Sequence, residues 1–195
     1  KDEILLAHRE HLFPCVFHYY KEPLVVSHAK NQYVWDADGN QYLDFFGGIV
    51  TVSVGHCNEE VNRKLHAQMD RLQHVSTVFA TEPLVALAKK IASITPEGKL
   101  TKSFFTNSGT EANETAILAA RCYTGSSEII ALRHAYHGRS ALMMTATGHY
   151  NWRLGGTPQP GFVHAHNAYC YRCPFGLTYP ACEVRCARDV EELIR

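Results

Sequence analysis

Residues 102–114 constrain the fold of this chain more than any other stretch. They read KSFFTNSGTEANE, an apolar β-type run followed by small residues and a helix predicted to begin at about Glu111. A tight loop between a strand and a helix leaves free backbone N–H groups at the positive end of the helix dipole. Such a terminus binds anions, most often phosphate. The N–H groups of Gly109 and Thr110 would face the phosphate, with the Ser108 hydroxyl beside them.

Strands and helices alternate from this stretch onward. The predicted strands are 102–106, 128–132 and 162–165, and the predicted helices are 111–123, 138–145 and 187–195. This alternation predicts an α/β fold, a parallel sheet covered by helices. Because ligands bind at the carboxyl ends of such strands, we expect residues 108–110 and 135–138 to lie close together. An ordinary capped helix start explains Ser108 equally well, and a core side chain explains Tyr136.

The first part of the chain predicts a smaller, mostly antiparallel unit. The predicted elements are helix 1–12, a strand at 24–26, a hairpin of 33–35 with 42–45, and helices 59–73 and 82–94. The Gly47-Gly48 pair after the hairpin predicts unusual backbone angles. Asn58 is predicted to cap the helix that follows it. Residues 148–185 are predicted to be irregular.

Charge and hydropathy exclude several classes of function. Lys and Arg number 19, as do Asp and Glu, so the net charge is zero and no nucleic-acid surface is expected. No apolar run approaches the ~18 residues of a membrane span, so no membrane association is expected. The first ten residues carry charges throughout and are not a signal peptide. The expected location is cytoplasmic, or an organelle matrix in a eukaryote.

Four cysteines cluster near the end of the chain, at Cys170, Cys173, Cys182 and Cys186. Thiolates at these spacings can bind zinc tetrahedrally, and His164 or His166 could replace one of them. Free thiols in an insertion, or a disulfide, explain the same pattern, and two surface histidines explain the nearby pair. We therefore predict no metal and keep the four cysteines as the candidate ligands.

Several motifs in register resemble one enzyme family, the class III (omega, ornithine/GABA-type) aminotransferases. These motifs are NSGTEANE at 107–114, YHGR at 136–139, YVWDADG with YLDF at 33–45, and GGI before Gly55-His56. The match covers roughly residues 20–140, and its agreement in order and spacing makes it specific. Residues 45–56 and 76–79 are similar to the alanine–glyoxylate-type branch. Members of the family are fold-type I enzymes that use pyridoxal 5′-phosphate (PLP).

The resemblance implies roles for particular residues. Gly109 and Thr110 would bind the PLP phosphate with help from Ser108, while Tyr136 would stack on the pyridine ring beside His137. Ile49 would line the substrate pocket. The family forms homodimers with sites at the subunit interface, so residues 76–79 would serve the partner's site.

The resemblance also implies which parts of the enzyme this chain carries. Residues 1–55 would contribute to the small domain. Residues 56–195 would form the first part of the large PLP-binding domain, with a Cys-rich insertion at 148–186. The Schiff-base Lys and the Asp that pairs with the pyridine nitrogen are expected downstream. The lysines present lie in other contexts, so we expect no catalytic residue here and no activity from this chain alone.

The implied reaction is transfer of an amino group from an amine or amino acid to a 2-oxo acid. Two alternatives remain open. A PLP-dependent phospho-lyase or aminomutase of the same family would share these motifs. A non-catalytic fragment, or a module stabilised by a metal at the cysteine cluster, would need no chemistry at all.

Overall fold

The computed structural model describes residues 1–16 and 18–195, which divide into two compact units. The first unit is Lys1–Thr81 and the second is Glu82–Arg195. In the described part of the chain, no helix has the length and apolar character needed to cross a bilayer. The predicted assignment of 1–55 and 56–195 to two domains of a larger enzyme stays a prediction.

The first unit is built on a three-stranded antiparallel sheet in the order β1-β2-β3. Its elements are α1 (Asp2–His11), β1 (Val26–Lys30), β2 (Tyr33–Asp36), β3 (Gln41–Leu43), α2 (Gly47–Val50) and α3 (Glu59–Met69). The hairpin of β2 and β3 confirms the prediction. The strand predicted at 24–26 lies instead at Val26–Lys30. Asn31, with a φ of 52°, makes the tight turn between β1 and β2, so the residues just before this turn are the ones that pair with β2. Asn58 caps α3 by accepting from the N–H groups of Glu60 and Val61.

The hairpin turn is organised by one carboxylate. Asp36 Oδ1 accepts from the N–H groups of Asp38 and Asn40, at 2.9 and 2.8 Å. Its Oδ2 accepts from Asn40 Nδ2 at 3.0 Å and from the Tyr42 hydroxyl at 2.9 Å. These bonds, the one from the Asn40 side chain foremost, lower the pKa of Asp36 to about 2.

The second unit has the predicted α/β character. Its elements are α4 (Glu82–Ile94), α5 (Gly109–Thr124), β4 (Ile129–Leu132), α6 (Ala141–Ala146), β5 (Phe162–Ala165) and α7 (Arg185–Ile194). Strands β4 and β5 are parallel, with Ile129 opposite Phe162 and Leu132 opposite Ala165. The core between these strands and α6 contains Ala131, Met143, Ala146, Thr147 and Ala165, all buried.

The strand predicted at 102–106 does not form among the described residues. A strand requires a neighbour for its backbone hydrogen bonds, and no described strand pairs with residues 102–106. Phe104 is consequently 78% exposed, although its sequence context is that of a buried strand. Helix α6 begins at Ala141 and not at 138, because Ser140 caps it by accepting from Met143 N.

Candidate functional site

The start of α5 is capped in a way that leaves donors free. Ser108 Oγ accepts from Glu111 N at 3.2 Å, and the Glu111 carboxylate accepts from Asn107 N at 2.7 Å. This reciprocal arrangement resembles a capping box. The N–H groups of Gly109 and Thr110 have no acceptor within the helix, and no described residue accepts from either. Because the Ser108 hydroxyl accepts in the cap, its own hydrogen can still be donated to an anion.

The space in front of Gly109 is open. A methyl group in place of its hydrogen would meet no heavy atom within 4 Å. Packing of the described chain therefore does not require glycine at this position. The absence of a side chain instead leaves the two free N–H groups accessible. The donors present and the room around them fit a phosphate group.

The two motifs predicted to meet do lie together. Asn113 on α5 donates from Nδ2 to the His137 carbonyl at 2.9 Å. Gly138, with a φ of 135°, lies so close to Thr110 that a side chain at 138 would overlap the Thr110 hydroxyl. The turn after β4 is thus packed directly against the first turn of α5.

Tyr136 presents an aromatic ring at this junction. The side chain is about half exposed, and its ring centroid lies 5.3 Å from that of Trp152, tilted by 56°. Trp152 belongs to a short turn at Tyr150–Trp152 within the irregular segment. Nothing in its local sequence pattern indicated that it would support this ring. The exposed part of Tyr136 remains available to a planar ligand.

His137 is held by its backbone. Its N–H group donates to Thr147 Oγ1 at 3.0 Å, while its carbonyl accepts from Asn113. His137 is among the residues that line a cavity with Ile117 and Met143. Its Nε2 is buried without a partner in the described chain. The predicted contact of His137 with a cofactor stays a prediction. The hydrogen bonds from Asn113 and Thr147 were not foreseen from the sequence.

The region around Ile49 has the unusual backbone predicted for the glycine pair. All four residues of α2 are left-handed, with φ of 53° at Gly47, 61° at Gly48, 62° at Ile49 and 61° at Val50. β-Branched residues rarely adopt such angles, which cost roughly 1–3 kcal/mol each. Ile49 is 67% exposed. The role of Ile49 in a substrate pocket stays a prediction.

One carboxylate anchors the start of this left-handed turn. Asp44 Oδ1 accepts from the N–H groups of Phe46 and Gly47, both at 2.9 Å. His56 lies beside the other carboxylate oxygen, and this contact is the largest of the causes that lower the pKa of Asp44. Sequence reasoning noted the glycines but missed this support, because Asp44 and His56 are not neighbours in the chain.

The four clustered cysteines share one small cavity. They are free thiols, and the described residues contain no group of three or more His, Cys, Asp or Glu side chains placed to hold a metal. His164 has a partner of its own, since its Nε2 lies 3.0 Å from the Ala146 carbonyl, to which an imidazole N–H would donate. His166 packs edge-on against Phe175. The tetrahedral set that the spacing permits is therefore absent from the described structure.

The free N–H groups at the start of α5, the open space before them and the adjoining aromatic turn form a site that fits a phosphorylated ligand. Comparison with known proteins gives the family of the chain. Residues 17–195 match the family model described as aminotransferase class-III, and the chain belongs to that family.

One curated relative and two solved structures illustrate the match. The mitochondrial alanine–glyoxylate aminotransferase 2 of Pongo abelii is 46% identical over 159 residues, covering 80% of this chain and 31% of the relative. The (S)-enantioselective omega-transaminase of Thermomicrobium roseum is 36% identical with a TM-score of 0.85, covering 99% of this chain and 45% of that one. The taurine:2-oxoglutarate aminotransferase of Bifidobacterium kashiwanohense, solved with PLP and glutamate, is 30% identical with a TM-score of 0.84, covering 98% and 43%.

These matches confirm the predicted fold class, an α/β fragment of a fold-type I transferase. The chain spans about a third of the length of the curated relative and less than half of the two solved structures.

Proposed function

We propose that this chain is the first part of a PLP-dependent aminotransferase that moves an amino group from an amine or amino acid to a 2-oxo acid. The observation that carries the proposal is the contact between the start of α5 and the turn bearing Tyr136, in a member of this family. When bound, PLP supplies the carbonyl carbon and electron sink on which amino groups exchange.

The residues of this chain would bind and orient the cofactor. The N–H groups of Gly109 and Thr110 and the Ser108 hydroxyl donate to the phosphate oxygens, aided by the helix dipole. Since the phosphate takes no part in the exchange of amino groups, these hydrogen bonds would hold the cofactor throughout the reaction. Tyr136 covers one face of the ring and excludes water from it.

The surface of the chain supports the proposal that more protein covers it. The accessible area is 15867 Å². A compact monomer of this mass would expose about 9,000 Å², and two separate compact domains about 11,000 Å². Apolar side chains at the proposed large domain contribute to the excess, including Phe104 at 78% and Leu118 at 63% exposure. We propose that the remainder of the subunit and a second copy, as a homodimer, cover these surfaces.

The remaining parts of the proposal concern the chemistry that this chain lacks. The Schiff-base Lys and the Asp for the pyridine nitrogen would come from other parts of the subunit, so the chain alone would be inactive. Ile49 would line the substrate pocket and residues 76–79 would reach the partner's site. Alanine and glyoxylate are the first donor and acceptor to try, because a relative's name carries them. The compartment, cytoplasm or organelle matrix, stays a prediction.

The test of the binding step compares PLP with pyridoxal, which lacks the phosphate. Both would be titrated into the complete protein that contains this chain, with bound cofactor followed by visible absorbance. Several charge-assisted hydrogen bonds to the phosphate predict that PLP binds about 100-fold more tightly. Equal affinities would contradict a phosphate site at the start of α5.

A further inference from the structure

The turn that carries Tyr136 is held in place by two side chains from different elements. Asn113 on α5 donates to the His137 carbonyl at 2.9 Å, and Thr147 at the end of α6 accepts from the His137 N–H at 3.0 Å. One residue of the turn is thereby fixed through both of its backbone polar groups. The adjacent Ala135 carbonyl accepts from Gly148 N at 3.1 Å.

The hydroxyl of Thr147 has its hydrogen committed elsewhere. Thr147 is fully buried, and its Oγ1 donates to the Met143 carbonyl at 2.9 Å. A hydroxyl has one hydrogen and two lone pairs, so a lone pair is left to face the His137 N–H. Replacing Thr147 by the similarly shaped valine would leave that partly buried N–H without its acceptor.

Asn113 connects the turn to the phosphate-binding end of α5. It lies about one helical turn beyond Gly109, on the same helix. The Asn113 bond and the close approach of Gly138 to Thr110 fix the turn against the first residues of α5. The distance between the phosphate donors and the Tyr136 ring therefore depends in part on Asn113, a residue that is neither a phosphate donor nor part of the Tyr136 turn.

We propose that Asn113 and Thr147 are positioning residues that hold the Tyr136 turn at the spacing a phosphorylated aromatic ligand requires. The inference rests on the proposed function, since it names PLP as that ligand. Loss of the Asn113 bond lets the turn relax away from α5, and loss of the Thr147 bond releases the turn from the end of α6. The hydrogen bonds from the start of α5 to the phosphate then remain, but stacking by Tyr136 is lost and the ligand dissociates faster.

The experiment measures release of PLP from the complete protein, together with the circular dichroism that the protein induces in the bound cofactor. Thr147→Val and Asn113→Leu are expected to speed release about tenfold, the size of one net hydrogen bond, and to weaken the induced signal. Leu has nearly the shape of Asn, has no hydrogen to donate to the His137 carbonyl, and adds no charge near the phosphate donors. Thr147→Ser keeps the hydroxyl and should release PLP within about twofold of the wild-type rate.

Thr145 offers a matched control on the same helix. Its Oγ1 also donates to a carbonyl four residues earlier, Ala141, and also accepts from a backbone N–H, that of Gln159. Thr145→Val removes the same kind of bonds from a different segment, so PLP release should stay at the wild-type rate. A tenfold effect in this control as well would reduce the Thr147 result to general destabilisation and overturn the inference.

Measurements in a protein that lacks the Tyr136 ring distinguish a positioning role from general structural damage. In a Tyr136→Leu protein, Thr147→Val should add nothing to the release rate, because the ring it positions is gone. A further tenfold increase there would contradict the inference. If Thr147→Val fails to fold, substitution of the half-buried Asn113 by leucine, Asn113→Leu, takes its place in both comparisons with the same expectations. Failure of the wild-type protein to bind PLP would overturn the proposed function; binding with unchanged release in all variants would overturn the inference alone.

Discussion

His56 Nε2 lies 2.7 Å from Asp44 Oδ2, and the same carboxylate accepts the N–H groups that begin the left-handed turn. Both side chains are largely buried, at 22% and 13% exposure. One aspartate therefore joins the strand side of the first unit to the loop before α3 and supports the angles of Gly47 through Val50. The turn that presents Ile49 depends on this pair.

Asp44→Ala is expected to release the left-handed turn, because the N–H groups of Phe46 and Gly47 lose their acceptor. In the complete protein we expect a lower melting temperature and a KM for the amino donor raised about tenfold, with a smaller change in kcat. Asp44→Asn keeps one acceptor oxygen for the two N–H groups and should recover part of the loss. Asp70→Ala, an exposed aspartate at the end of α3, is the control. An unchanged KM in Asp44→Ala would contradict a role for this turn in substrate binding.

Gly109 and Gly138 give a matched pair of substitutions with opposite expectations. Gly109→Ala enters open space, so stability should stay within about 0.5 kcal/mol of wild type, whereas PLP affinity should fall about tenfold as the methyl group meets the phosphate. Gly138→Ala would overlap Thr110 at a positive φ and should cost about 1–3 kcal/mol of stability. Thermal unfolding and PLP titration measure both. Wild-type affinity in Gly109→Ala would place the phosphate elsewhere.

The hydrogen bonds to Asp36 predict that its carboxyl group titrates at a lower pH than an ordinary aspartate. The pKa of Asp36 is lowered from 3.8 to about 2 by its hydrogen bonds, the Asn40 side chain first. A folded pKa below the unfolded one means that this stabilisation is present above pH 4 or so and is lost as the pH falls towards 2. An NMR titration of the Asp36 carboxyl should therefore have its midpoint near 2. A midpoint at the ordinary value would show that the turn does not bind the ionised form.

We expect the purified protein to contain no stoichiometric zinc at the four clustered cysteines. Cys170 is exposed and the other three are partly buried, without converging on a common ligand position in the described structure. Elemental analysis of the purified protein should find far less than one zinc per chain. Thiol titration should find Cys170 reacting ahead of the others. Stoichiometric zinc would instead favour a metal-stabilised module.

Features encoded by local patterns were predicted well. Helix α4 at Glu82–Ile94 and strand β5 at Phe162–Ala165 lie where spacing and composition placed them. The helix is set by residues near each other in the chain, and the strand also finds its partner in β4. The Asp-Gly hairpin has a recognisable turn sequence. The Ser108 cap followed from the preference for serine at helix starts. The closeness of residues 108–110 to 135–138 was predicted correctly from a strand-end rule, although the strand assumed at 102–106 does not form among the described residues.

Features that depend on residues distant in the chain were not predicted from the sequence. Residues 102–106 have a strand's composition, but a strand also needs a neighbour, which no local pattern supplies. Asn113 and Thr147 reach His137 across 24 and 10 residues, so their hydrogen bonds could not be derived from spacing. The glycine pair indicated unusual angles, but not their extension to Ile49 and Val50.

The most direct test of the proposed aminotransferase activity follows the amino nitrogen from donor to acceptor. The complete protein, loaded with PLP, would be incubated with an isotopically labelled amino donor and a 2-oxo acid, and the product would be weighed by mass spectrometry. We expect labelled nitrogen in the amino acid formed from the 2-oxo acid, and none when PLP is withheld. No labelled product from any of a broad panel of donors and acceptors, in a protein that demonstrably binds PLP, would contradict the proposed activity.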